Sequence, residues 1–276
     1  MAETGTEDAA PGGPGPDAPA GGVAAFFDLD NTLIRGASPF HLAVGLRARG
    51  MVSLRDILEF GLVQARYQLF GENRRQIDRV RSRALSLVAG HSVAEMAAIG
   101  EEIWDEVLSL RIFPDTHTLL TEHLAAGHEV WIISASPVEI GRLIAARLGA
   151  TGALGTVAEH VDGFYTGRML GDLLHGAAKE TAVRTLAAER GLDLSRCYAY
   201  GDSANDTAIL SAVGHPVAIN PDARLRRRAR KVGWPVREFR GRRSAATRRG
   251  VRAASWAGGA WVLGVVARAV RRALRG

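Results

Sequence analysis

The 276-residue chain has a single cysteine, Cys197, so no intramolecular disulfide can form and a bridge-stapled fold is excluded. Its position in the apolar run Cys197-Tyr198-Ala199-Tyr200 marks it as a small buried hydrophobe. The N-terminus lacks a basic start followed by an apolar stretch, so it is not a signal peptide, and the expected location is cytoplasmic. Near the C-terminus, Ala253 to Ala267 runs 15 residues without a charge, which falls short of the roughly 20 that a membrane-spanning helix needs. The eight histidines are scattered, with no pair spaced as metal ligands, and read as structural or surface residues. No internal repeat is present.

Hydrophobic residues at 47% and charged residues at 23% match an ordinary globular protein and exclude disorder throughout. The net charge of +6 is unevenly spread. Residues 224–276 hold 17 Lys or Arg against one acid, Glu238, a net of +16, which leaves −10 for residues 1–223. Acid is thus almost absent from the C-terminal fifth, and a basic tail on an acidic body suits contact with something anionic.

Residues 1–22, with Pro11, Pro14, Pro16 and Pro19 among Gly and Ala, cannot bury enough apolar surface to order and are expected to be disordered. A buried strand is predicted at Val23–Phe27, ending in Asp28, with similar apolar runs at 129–134, 197–201 and 216–219. Helical patterns at 115–126, 137–148, 176–190 and 205–213 alternate with them. The expected fold is α/β, a Rossmann-like parallel sheet with helices on both faces and ligands bound beyond the strands' carboxyl ends. Residues 39–110 break the alternation with helical periodicity alone, at 40–49, 54–69, 74–89 and 93–110. This is a helical cap, about 36–112, inserted after the first strand, with Ser92 and Glu95 forming a capping box for the last helix. Short β-like pieces around Asp162-Gly163 predict a hairpin. The domain expected to carry these elements is 23–240, followed by a tail, 241–276.

Asp28 and Asp30, in Asp28-Leu29-Asp30-Asn31-Thr32, place two carboxylates near one point at a strand end, where a divalent cation is the natural neutraliser. A second pair, Asp202 and Asp206 in Gly201-Asp202-Ser203-Ala204-Asn205-Asp206, follows another strand and would emerge at the same sheet edge. Between the pairs come Ser134, at the end of the 129–134 strand, and Lys179. A hydroxyl and an ammonium suit the oxygens of a phosphate. Singly, each of these residues reads as a cap, a turn or a surface charge; their order along the chain raises them.

With these motifs the chain resembles the haloacid dehalogenase-like phosphatase superfamily, in the branch of phosphoserine phosphatase. Its four motifs match Asp28 to Thr32, Ser134, Lys179, and Gly201 to Asp206, and the resemblance runs from about Val23 to Val236. It implies a magnesium-dependent phosphomonoester hydrolase. By this resemblance Asp28 is the nucleophile that becomes an aspartyl-phosphate, and Asp30 is the acid and then the base. Mg2+ is held by Asp28, the Asp30 carbonyl and Asp202, with Asp206 as a further ligand or anchor; Ser134 and Lys179 hold the phosphoryl group, and Thr32 and Asn205 support the loop. Phosphoserine phosphatase carries a glutamate for its substrate's amino group where this chain reads Arg35-Gly36-Ala37-Ser38, and Gly-Gly where Ala135-Ser136 follows Ser134. The resemblance therefore implies a small phosphorylated substrate and not phosphoserine in particular. A phosphotransferase, or a catalytically idle member binding a membrane or partner through its tail, is the alternative.

In the tail, Arg268, Arg271, Arg272 and Arg275 fall on one helical face next to the uncharged segment bearing Trp256 and Trp261. That pattern predicts an interfacial helix on an anionic membrane surface, which would put the protein peripherally at the inner face. A tail helix packed on the body or on a partner, and a true membrane span despite the short segment, are the competing expectations, and nucleic acid, lacking any recognisable binding module, a weaker one.

Overall fold

The computed structural model describes residues 21–53, 55, 85 and 88–239. The expected disordered leader up to residue 20, most of the two middle cap helices and the tail fall outside these residues. The chain divides into two units after Arg237, and every described helix and strand lies in the first of them.

Strand β1 (Ala24–Asp28) is buried at every position, which is why it reads as an unbroken apolar run and not an alternating one. Helix α1 (Ser38–Ala48) comes next, and then α2 (Val93–Ile103), capped by the Ser92 hydroxyl accepting from the Glu95 amide at 3.0 Å. The Glu95 carboxylate turns to His91 Nδ1 at 3.2 Å, so the expected cap is made from its Ser side. The helical pattern expected through residue 110 continues as a π-turn, Trp104–Leu108, and a 3₁₀ turn, Ser109–Arg111. Beyond these turns lie α3 (Pro114–Ala125), β2 (Glu129–Pro137), α4 (Val138–Leu148), β3 (Gly152–Val161) and β4 (Phe164–Leu170). The remainder is α5 (Ala177–Arg190), β5 (Tyr198–Gly201), α6 (Thr207–Ala212), β6 (His215–Ile219), α7 (Ala223–Val232) and β7 (Val236–Arg237).

The seven strands form one sheet in the order β4-β3-β2-β1-β5-β6-β7. All neighbours are parallel except β3 and β4, the expected hairpin, whose turn residues Asp162 and Gly163 both take positive φ, 51° and 82°. β3 is longer than the sequence suggested, because Gly152–Leu154 first pair in parallel with Trp131–Ile133 of β2 before the hairpin begins. Gly22, expected to belong to the disordered leader, bridges to Leu192. The fold is the mostly parallel α/β sheet that the alternating pattern predicted.

Phe26, Ile133, Val183, Cys197, Ala199 and Leu210 are among the residues of one core cluster, with Cys197 fully buried as a hydrophobe. Phe26 and Phe27 are both fully buried, and burial of each contributes about 1.5–3 kcal/mol. β1 is the point where the strand order reverses, since the chain builds β2 to one side and β5 to the other. Ligand crevices form beyond the carboxyl ends of strands at such a point.

Candidate active site

Register places the chemistry before any side chain is considered. Asp28 pairs with Ile133, and Phe27 pairs with Tyr200, so Ser134 and Asp202 stand one step beyond Asp28 on its two sides. The turn after β1 folds back tightly: Leu33 and Ile34 amides both donate to the Leu29 carbonyl, and Asn31 takes φ 63°. Asn31 is one of the residue types that tolerates this left-handed geometry. Its carbonyl accepts from the side chain of Asn220, and its Oδ1 accepts from the Gly36 amide.

Asp30 is thereby delivered to the N-terminus of α1, where its Oδ1 accepts from the Ser38 amide at 2.7 Å. Burial raises its pKa, and the Ser38 contact works against that rise. A carboxyl held upward in this way suits a proton donor. Ser38 is locked in turn, its hydroxyl sharing a 2.8 Å hydrogen bond with Ser136, and the Ser136 amide donates to Ser134 Oγ at 3.1 Å. Neither Ser38 nor Ser136 was identified as a site residue from sequence. Their signal was faint: each is a serine directly before a proline near a helix start.

Lys179, in the first turn of α5, reaches back across the sheet edge. Its Nζ is 2.5 Å from Asp28 Oδ1 and 2.7 Å from Asp206 Oδ1, and all three side chains are nearly inaccessible to solvent. Burial works against the charge on Lys179, but Asp206 and Asp28 outweigh it and raise its pKa. Asp28 is pushed up to about 7, first by burial and then by Asp206, with Lys179 opposing. The two shifts differ in origin: burial lifts Asp28 against the pull of the ammonium, whereas the two carboxyl groups lift Lys179 against burial.

Asp206 also ties its own loop, Oδ2 accepting from the Ser203 amide and hydroxyl at 3.1 and 3.0 Å. A Cβ at Gly201 would come within 2.5 Å of Asp206 Cβ, so only glycine lets the strand end approach this carboxylate. The Asp202 carbonyl accepts from the Asp222 amide at 2.7 Å, and Asp222 Oδ2 accepts from the Ala204 amide, a brace that the sequence pattern did not reveal. Asn205 is half-buried within this turn, and the Thr32 hydroxyl is buried without a hydrogen-bond partner among the described residues.

Carboxylate oxygens of Asp28, Asp202 and Asp206 all come within 4.8 Å of one another. This donor set fits a magnesium ion: hard oxygens only, and one ammonium too few to balance the acids. The structure thus gathers Asp28, Asp202, Asp206 and Lys179 into one cluster, sets Ser134 beside it, and holds Asp30 at the α1 terminus.

The family model described as haloacid dehalogenase-like hydrolase matches residues 25–211. A Mycobacterium tuberculosis (strain ATCC 25618 / H37Rv) protein named phosphoserine phosphatase SerB1 is 53% identical over 225 residues, covering 81% of this chain and 73% of that protein. A histidinol-phosphatase from Neisseria meningitidis serogroup C (strain 8013) is 34% identical over 221 residues, covering 78% of this chain and 98% of that protein. Among solved structures, a protein of unknown function from Bordetella pertussis Tohama I superposes with a TM-score of 0.70 at 30% identity, covering 79% of this chain and 99% of that one.

Proposed function

The chain belongs to the haloacid dehalogenase-like hydrolase family and is a phosphatase, and from that premise we propose that it hydrolyses a small phosphomonoester, with magnesium, through an aspartyl-phosphate on Asp28. The observation that carries this reading is the buried bridge from Lys179 to both Asp28 and Asp206.

An Asp28 oxygen attacks phosphorus in line, forming the acyl-phosphate bond as the bond to the leaving oxygen breaks. Asp30, whose carboxyl pKa is raised by burial, gives its proton to that oxygen. Asp30 then takes a proton from water, whose oxygen attacks phosphorus, releases phosphate and restores the Asp28 carboxylate. Lys179 holds the Asp28 carboxylate in place and offers positive charge to the phosphoryl oxygens, and Ser134 offers a hydroxyl. Asp28, Asp202 and the Asp30 carbonyl would hold the cation, with Asp206 as ligand or anchor; its two oxygens already serve Lys179 and Ser203. The ion's chemistry there is to offset the charge of two anions brought together. Thr32 and Asn205 support the loops.

The names of the relatives differ in substrate and share the phosphomonoester, so the supported class is a small phosphorylated metabolite. Around Arg35 to Ser38 the chain offers an arginine whose guanidinium stacks over Phe113 and a serine already engaged by Asp30, and no carboxylate for an ammonium. Phosphoserine should therefore not be the preferred substrate, and catalytic efficiencies across phosphoserine, sugar, glycerol and lipid phosphates test this. Turnover of an aryl phosphate should need magnesium and stop on chelation. Full activity in chelator would remove the metal from the mechanism.

A further inference from the structure

Helix α7 carries more positive charge than the fold can use. Arg224, Arg227, Arg228 and Lys231 are all exposed and fall at i, i+3, i+4 and i+7, on the side of the helix away from the buried Leu225 and Ala229. Among the described residues none of these four forms an ion pair, although residues 1–223 carry a net −10. Arg228, though exposed, lies with its guanidinium carbon 5.9 Å from the centre of the Trp234 ring.

Helix stability does not explain the pattern. Lys231, in the last turn, favours the negative end of the helix dipole, but Arg224 stands in a first turn without an acid, at the positive end. Cations three and four apart repel one another along the whole face. Solubility does not explain it either, because these charges bring an acidic body closer to neutrality. What the face lacks is an anion from outside.

The sequence beyond repeats the arrangement: Arg268, Arg271, Arg272 and Arg275 have the same spacing, preceded by the uncharged segment with Trp256 and Trp261. We propose that the outer face of α7 is a docking surface for the headgroups of an anionic lipid bilayer. A bilayer fits better than nucleic acid, since α7 is anchored through Leu225 and Ala229 and can only lie along a surface. Trp234 is packed against the core beneath Arg228 and offers no platform for a base. The two tryptophans of the tail suit the bilayer interface. The N-cap Asp222, which braces the Asp202 loop, fixes α7 to the catalytic edge, so docking would hold that edge in a set position.

The test is co-sedimentation of the full chain with vesicles of phosphatidylcholine alone and of phosphatidylcholine with phosphatidylglycerol. The parent should bind the anionic vesicles only, and salt should release it. In the full chain, the combined variant R224Q/R227Q/R228Q/K231Q should lose about fivefold in affinity for each charge removed, more than about a hundredfold in all. R224K/R227K/R228K, which keeps the charge, should bind like the parent, and both variants should hydrolyse an aryl phosphate at the parental rate. Unchanged binding of the glutamine variant would overturn the proposal, as would failure of the parent to bind, equal binding to neutral vesicles, or displacement of bound protein by duplex DNA at lower charge concentration than the vesicles present.

Discussion

The two ends of the sheet hold polar clusters of opposite kinds. At the carboxyl ends, Asp28 and Asp206 share the single ammonium of Lys179. Toward the amino ends of β2 and β5, His123 Nε2 meets the Tyr200 hydroxyl at 2.8 Å and its Nδ1 meets His128 Nδ1 at 2.8 Å, with Tyr198 stacked between His128 and His215. The His123 pKa is lowered to about 4, by burial and then by His128, so this ring is neutral and its hydrogen bonds close within the protein. The lower cluster is complete as it stands. The upper one gathers three carboxyl groups round one ammonium, which a structural role would not require, and that difference separates a site from a support.

The largest effect expected is from Asp28→Asn, which should lower turnover by more than about a thousandfold because an amide cannot serve as nucleophile. Measured on the same substrate, Asp30→Asn should lose about 10²–10⁴-fold through the missing proton donor. His123→Ala should leave turnover within about twofold while costing about 2–3 kcal/mol of stability, read by denaturant unfolding. A His123 variant as inactive as Asp28→Asn, yet fully folded, would break the contrast between the two ends.

Most of the upper end was legible in the sequence. An apolar run stopping at Asp28, another stopping at Ser134 and a third at Gly201 state where carboxyl ends must be, and parallel pairing brings them together. What was not legible needs contacts between distant segments. Ser38 meets Ser136 across 98 residues and His123 meets Tyr200 across 77, and neither helical nor strand periodicity encodes which strands become neighbours. The two-residue β7 is too short for any pattern, and the π-turn at Trp104–Leu108 keeps enough helical periodicity to pass as helix.

The smallest effect is on pH dependence, where the two ends have opposite signs. Without a bound cation, Asp28 keeps its proton to about 7 when folded but loses it near 3.8 when unfolded, so its contribution to stability is lost as pH rises through that window. His123 takes a proton near 6.5 when unfolded but only at about 4 when folded, so its contribution is lost as pH falls through that range. Unfolding in chelator should therefore show Asp28→Asn gaining stability from about pH 4 to 6.5 relative to the parent, and His123→Gln losing it. Magnesium should flatten the part due to Asp28.

The most direct test of the central claim is to quench the enzyme in acid during turnover and locate the phosphoryl group by peptide mass spectrometry. The expected result is a phosphoryl adduct on Asp28, present in the parent and absent from Asp28→Asn. Turnover with no adduct on Asp28, or with the phosphoryl group on another residue, would contradict it.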